Sequence, residues 1–333
     1  MAAAAAAAFL SRFLLVPRAA AARYVARGPY LLLSWALAAA LFVGSHAALL
    51  AAWPRIAAAL PAQWLWAMFV STTVVNVGAQ LLLNLALLPL YVTGVADAAR
   101  SEPSRPWPWA GGAAERARFW AALAHGVPLV AFNMLVVSLA GLATLAPVVR
   151  ALGVETRFDV AGFPSLATLA WQLAVCLVVE DAMFYASHRA LHTPALYAAV
   201  HKVHHEYSSV VGPASEHAHP VEFLLGNLLP VIAGPLLLRA HGATLLLFLA
   251  LRVAVSIEEH SGFSFAASPL RVTPFAALTA GHAWHHSHTV GVFASQFCWL
   301  DAFFGTDVAF TKWLAAEDAA EGARHGKTGA KTA

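Results

Sequence analysis

Long apolar stretches alternate with short polar breaks along this chain. Tyr30 to Trp53 and Trp64 to Val92 are each long enough for a helix crossing a bilayer core, which takes about 20 apolar residues. Only a short link with Pro54, Arg55 and Pro61 divides them, so they predict a helical hairpin. A polar, Pro-rich segment runs from Thr93 to Arg118. Phe119 to Val149 is apolar again but carries Gly126, Pro128 and Gly141, which fits one tilted helix or a broken one. After a loop from Arg150 to Pro164, the stretch from Leu166 to Val179 ends at Glu180 and Asp181. A fifth stretch, Phe223 to Ile257, is interrupted near Arg239 to Gly242. Its halves sit at the lower limit for a span and read as a short or re-entrant hairpin. The expected fold is all-α, an integral membrane helical bundle. Residues 1–29 form a flank, 30–165 the transmembrane helices, 166–312 a region that includes the hairpin 223–257, and 313–333 a polar, disordered tail.

Composition supports a lipid setting. Hydrophobic residues make up 60% of the 333, and charged residues only 11%, against roughly 25% in ordinary soluble domains. A formal charge of +3 is too slight to point to nucleic acid. Cys176 and Cys298, the two cysteines, each lie in an apolar run and form neither a disulfide framework nor a zinc-spacing pair. The first 29 residues carry Arg12, Arg18, Arg23 and Arg27 without an acid. That pattern fits a transit peptide, and better a cytoplasmic flank, because Arg100, Arg105, Arg116 and Arg118 mark the next even loop in the same way. Four crossings from a cytoplasmic start bring the chain back to the cytoplasm just before His188, and the hairpin returns His260 and later histidines to that face.

Histidine changes the picture most. Thirteen of the 16 fall between His188 and His288. His188-Arg-Ala-Leu-His192 places two imidazoles on one helical face. His201-Lys-Val-His204-His205 and His282-Ala-Trp-His285-His286 each repeat an i,i+3 and i,i+4 pairing. His219 and His260 are further candidate ligands between these boxes, as is His217. Four ligands satisfy one tetrahedral ion, so eight to ten imidazoles imply two metals. All-nitrogen ligation suits Fe, Zn, Cu or Ni. The Glu and Glu-x-x-His pattern of carboxylate-bridged di-iron bundles is missing. Metal-bound imidazoles usually donate their other N–H to a carboxylate or carbonyl. Asp181, on the same helical stripe as His188 and His192, is the first candidate for that role, and Glu259 is another.

The run from Trp171 to Asp307 resembles the sterol desaturase and fatty acid hydroxylase superfamily, and within it the sterol C4-methyl oxidase (methylsterol monooxygenase) branch. The likeness rests on Cys176-Leu-Val-Val-Glu-Asp181, the three boxes, Ala218-His-Pro-Val-Glu222, His260-Ser-Gly262, Trp299-Leu-Asp301 and Phe304-Gly-Thr-Asp307. It implies that 166–312 is a fatty acid hydroxylase-type catalytic domain with two Fe ions, zinc being able to replace them in a purified sample. It implies ligands at His188, His192, His201, His204, His205, His282, His285 and His286, with His219 and His260 at positions where the family also shows histidine. Further implications are O2, electrons relayed from NAD(P)H through cytochrome b5 or a similar donor, a sterol substrate and a multi-pass protein of the endoplasmic reticulum with its boxes facing the cytoplasm. Lys202 and Arg189 are basic positions against which an acidic donor could dock, or plain interfacial charges. Ala186-Ser187 and Gly212-Pro213-Ala214-Ser215 depart from the family pattern and bear on substrate rather than chemistry. The alternatives within the superfamily are a fatty acid, sphingolipid or alkylglycerol hydroxylase or a sterol desaturase. A membrane metal transporter or metal-binding protein, and a catalytically silent homologue, are rivals of other classes.

Overall fold

The computed structural model describes residues 27–102, 105–273 and 275–329, the last ten and residue 318 by backbone alone. Most of the basic flank and the final four residues lie outside this range. Among the described residues there are helices and no strands. α1 (Pro29–Ala59) begins with proline in its first turn, where the missing N–H costs nothing. After a short link α2 (Trp64–Thr93) follows, packing on the helices described below rather than along α1, and it stops at Gly94 in the left-handed region with φ 67°. α3 (Ala113–Ala151) runs for 39 residues, unbroken but loosened by a π-helical turn at Asn133–Val137. α4 (Leu166–Leu191) is capped by Ser165, whose hydroxyl accepts the Thr168 N–H. A short helix, α5 (Pro194–Ala199), leads into two 3-10 turns, His201–Glu206 and Gly212–Glu216.

The expected hairpin is α6 (Pro220–Leu237) with α7 (Gly242–His260). Five helices, α1, α2, α3, α4 and α6, are long and apolar enough to cross a membrane. Many of their large apolar side chains face outward, among them Leu32 at 75%, Leu82 at 72% and Val92 at 77% exposure. Apolar surface of that extent belongs against lipid. α7 differs, since most of its residues are buried. It packs against α2 and against α8 (Thr279–His288), while α4 packs against α6. Met68, Leu142, Ile232 and Leu245 join α2, α3, α6 and α7 in one core cluster. α4 and α6 approach closely at Gly234, where a Cβ would lie 2.9 Å from the Cys176 Cα.

After α9 (Trp299–Phe304), α10 (Val308–Gly329) remains helical to its end. The polar tail from 313, expected to be disordered, is helical as far as Gly329, in keeping with the high intrinsic helix propensity of its Ala and Glu content.

Candidate metal centre

Four chain segments converge at one end of the bundle. α4 delivers His188 in its last turn and His192 at its C-cap; the 3-10 turn after α5 delivers His201, His204 and His205; α7 ends on His260; and α8 carries His282, His285 and His286. Nine of the ten expected ligands come together, sorted into two donor groups. His188, His192, His201, His205 and His285 form one, and His204, His260, His282 and His286 the other, with donor atoms in each group within 4.8 Å of one another. The middle box is wound as a 3-10 turn rather than an α-helix, and it splits between the groups. The two groups touch, His205 and His286 having ring centroids 4.7 Å apart.

Backbone and side-chain acceptors fix which nitrogen faces inward. The Nδ1–H of His188 donates to the Phe293 carbonyl at 2.8 Å, that of His285 to Gly291 at 2.6 Å and that of His286 to Tyr207 at 3.1 Å. His204 donates to the His217 carbonyl at 3.0 Å and His260 to Ser256 at 2.7 Å. His201 donates to Glu222 Oε1 at 2.7 Å. Each bond holds its ring in one tautomer and turns the Nε2 lone pair inward. Burial is the main reason that His204, His282, His285 and His286 lie well below the usual histidine range, and neighbouring imidazoles add to it. Burial likewise lowers His192 to about 4 and His205 to about 3. The rings are therefore neutral near pH 7, the form that ligates metal.

This donor set fits two metal ions. Facing Nε2 pairs, His192 with His285, His201 with His205, His260 with His282 and His282 with His286, stand 3.0 to 3.1 Å apart. With metal–nitrogen bonds of about 2.0–2.1 Å, neighbouring ligands around one ion are separated by roughly this distance. Lone pairs aimed at each other so closely lack a donor between them. The buried Nε2 of His188 has no hydrogen-bond partner at all, which is the condition of a ligand atom awaiting its cation.

Three sequence expectations are corrected by the side-chain contacts. Asp181 does not touch an imidazole; it accepts from the backbone N–H of Gln296 and Phe297 and from Trp299 Nε1. Glu259 accepts from Ser295 and pairs with Arg271 at 3.0 Å. Asp301 accepts from the N–H groups of Phe293 and Ala294 at 2.8 and 2.9 Å. These three acids tie down segment 293–297, whose Phe293 carbonyl holds His188, so they act one bond further out. His219 joins neither group. Its Nδ1 accepts the Val221 N–H and caps α6, because a histidine before proline at a helix start finds an unpaired N–H beside it. Glu222 is the carboxylate partner that sequence reasoning left without a role. Its spacing from His219 was visible, but its pairing with His201 spans 21 residues.

A cavity leads from the histidines into the bundle between α2, α3, α4, α6 and α7. Phe184, Val231, Ile232, Leu245 and Leu249 give it apolar walls. Polar groups interrupt them: Arg252 pairs with Glu180 at 3.0 Å, and Glu216 accepts from Gln80 at 3.2 Å. Asn76 Oδ1 and one oxygen each of Glu180 and Glu222 are buried without a partner. Burial raises Glu216 to about 7.

The comparisons agree with this geometry. The family model described as "Fatty acid hydroxylase" matches residues 173–306, which contain all nine converging histidines. A fatty acid hydroxylase of Mycosarcoma maydis is 35% identical over 187 residues, 56% of this chain and 46% of that protein. Methylsterol monooxygenase 2-1 of Arabidopsis thaliana is 36% identical over 187 residues, 52% of this chain and 67% of that protein. A very-long-chain aldehyde decarbonylase of Oryza sativa is 40% identical over 158 residues, 46% of this chain and 59% of that protein. The chain thus spans about half the length of most curated relatives it matches. No solved structure matches it. Three histidine boxes in family order, a membrane bundle beneath them and relatives that share the matched region lead to one assignment: the chain belongs to the fatty acid hydroxylase family of the sterol desaturase and fatty acid hydroxylase superfamily.

Proposed function

We propose that the protein is a membrane-bound di-iron monooxygenase that oxidises a methyl group of a hydroxyl-bearing lipid, a 4-methylsterol. O2 is the oxidant, and the electrons pass from NAD(P)H through cytochrome b5 or a similar donor. The cavity beside the histidines carries this reading. Its walls suit a lipid skeleton, while Asn76 Oδ1 offers an acceptor atom without a donor. A substrate hydroxyl supplies the missing donor.

Iron, when bound with dioxygen and two electrons, supplies an oxidant for unactivated C–H bonds that no side chain provides. The balanced change is insertion of one oxygen atom into C–H, the other leaving as water with two protons and two electrons. Nine neutral imidazoles and the apolar cavity are the contribution of this chain: they hold the ions and keep bulk water from the reacting carbon. The endoplasmic reticulum membrane, with the histidine end toward the cytoplasm, is the setting in which Lys202 and Arg189, both exposed, meet a soluble acidic donor.

The test is anaerobic purification with metal analysis, then O2-dependent turnover of 4-methylsterols beside fatty acyl, sphingoid, alkylglycerol and long-chain aldehyde lipids. Oxidised 4-methyl products and bound iron are expected. Turnover confined to acyl or aldehyde lipids would replace the substrate assignment, and metal flux without O2 consumption would replace the enzyme reading.

A further inference from the structure

We infer that the protein carries a third transition-metal site, separate from the two-metal cage and suited to Zn²⁺, formed by His125, Glu206 and His217. These side chains come from three places: α3, the end of the 3-10 turn after α5, and the loop before α6. His217 Nε2 lies 2.9 Å from Glu206 Oε2, and His125 Nδ1 lies 3.5 Å from the same oxygen. All three donor atoms fall within 4.8 Å of one another. An ion with bonds of about 2.0–2.1 Å separates tetrahedral ligands by roughly 3.3 Å, so the two edges to Glu206 need shifts of a few tenths of an ångström, while the edge between the imidazoles, within 4.8 Å, closes by rotation of the exposed His125. Two imidazoles and one carboxylate suit zinc rather than the oxygen-seeking calcium or magnesium.

The surroundings are built for a closed side and an open one. His217 is 1% exposed, Glu206 38% and His125 59%. The buried ring packs edge-on against Tyr207, with ring centroids 5.0 Å apart. It lies so close to α3 that a Cβ at Gly126 would stand 2.7 Å from its Nδ1. Glycine next to His125 therefore lets the two imidazoles reach one point. The exposed side leaves a fourth position for water, as in open three-ligand zinc sites. α3, with 39 residues, is about 58 Å long, close to twice the hydrocarbon core. Its charged first turns, with Glu115, Arg116 and Arg118, place the overhang in water at the His125 end.

The site also connects to the cage. The His217 carbonyl accepts the Nδ1–H of His204, a member of the second donor group. An ion on His217 Nε2 would hold that carbonyl, and with it the orientation of His204, without touching substrate.

The experiment is calorimetric titration of Zn²⁺ into the full-length, metal-replete protein in detergent, with elemental analysis before and after. Wild type should take up one further equivalent per chain beyond two resident ions. His125→Ala and Glu206→Gln should weaken that last site at least a hundredfold, more than the ten- to hundredfold typical of losing an outer partner, while retaining both resident ions. X-ray absorption of the added zinc should report two imidazoles and oxygen neighbours. The inference is overturned if wild type takes up no further equivalent, or if His125→Ala binds it as tightly as wild type. Neither result bears on the two-metal cage, which elemental analysis reads separately.

Discussion

Replacing Glu222 tests how the cage is oriented. Its Oε1 accepts the Nδ1–H of His201 at 2.7 Å, with the two side chains 7% and 1% exposed. Glu222→Leu leaves that N–H buried and unpaired, a cost of about 1–3 kcal/mol. Loss of a carboxylate partner behind a metal-bound histidine typically lowers metal affinity 10- to 100-fold, or about 1.4–2.7 kcal/mol, which agrees with the desolvation figure. Glu222→Gln keeps an acceptor but not the charge, and charge-assisted bonds are roughly twice as strong as neutral ones. Metal retention under a graded chelator challenge should therefore fall in the order wild type, Gln variant, Leu variant. Circular dichroism on the same samples checks that the helices persist. A Leu variant that keeps its metal like wild type would refute the reasoning, because the shortest carboxylate contact in the cage would then carry no weight.

Other predictions separate the histidines by role. His204→Ala and His285→Ala should abolish turnover with membrane insertion unchanged, read by product formation and carbonate-resistant membrane fractionation. His219→Ala removes only a helix cap, so it should cost about 0.5–2 kcal/mol of stability and leave turnover and metal content near wild type; a metal-free His219→Ala protein would restore it to the ligand set. Gly234→Ala places a methyl against the α4 backbone at Cys176 and should destabilise by about 1–3 kcal/mol, visible as a lower Tm in detergent, whereas an unchanged Tm would mean that α4 and α6 part more readily than their packing indicates.

The legible part of this site was the part encoded locally. His188 with His192, and His285 with His282, declare themselves through spacings of three and four residues, which a helix turns into one face. His260 has no such partner, and its inclusion rested on the resemblance, since the family also shows histidine at that position. His219 looked equivalent in sequence and was not, because the proline after it starts α6 and gives its Nδ1 a backbone donor. Asp181 was expected behind an imidazole and instead holds the backbone of segment 293–297. Its partners lie 115 to 118 residues away, a distance over which helical periodicity says nothing. The same blindness hid Glu222 and Asp301. The broken stretch in α3 was readable only as an alternative: Gly126, Pro128 and Gly141 permit either outcome, and the structure resolves it as one helix with a π-helical turn, whose buried Asn133 reaches across to the Ala218 carbonyl at 2.7 Å.

The clasp of three acids on segment 293–297 has a consequence for anyone rebuilding this centre elsewhere. Every imidazole of the cage lies upstream of Thr289, so a chain ended there retains the full complement of ligands. It would lack the peptide oxygen under His188 and the carboxylate that steadies that peptide. Such a truncation should behave like a set of fingers without a palm, and grafting the boxes onto another helical scaffold should fail for the same reason unless the downstream strap travels with them.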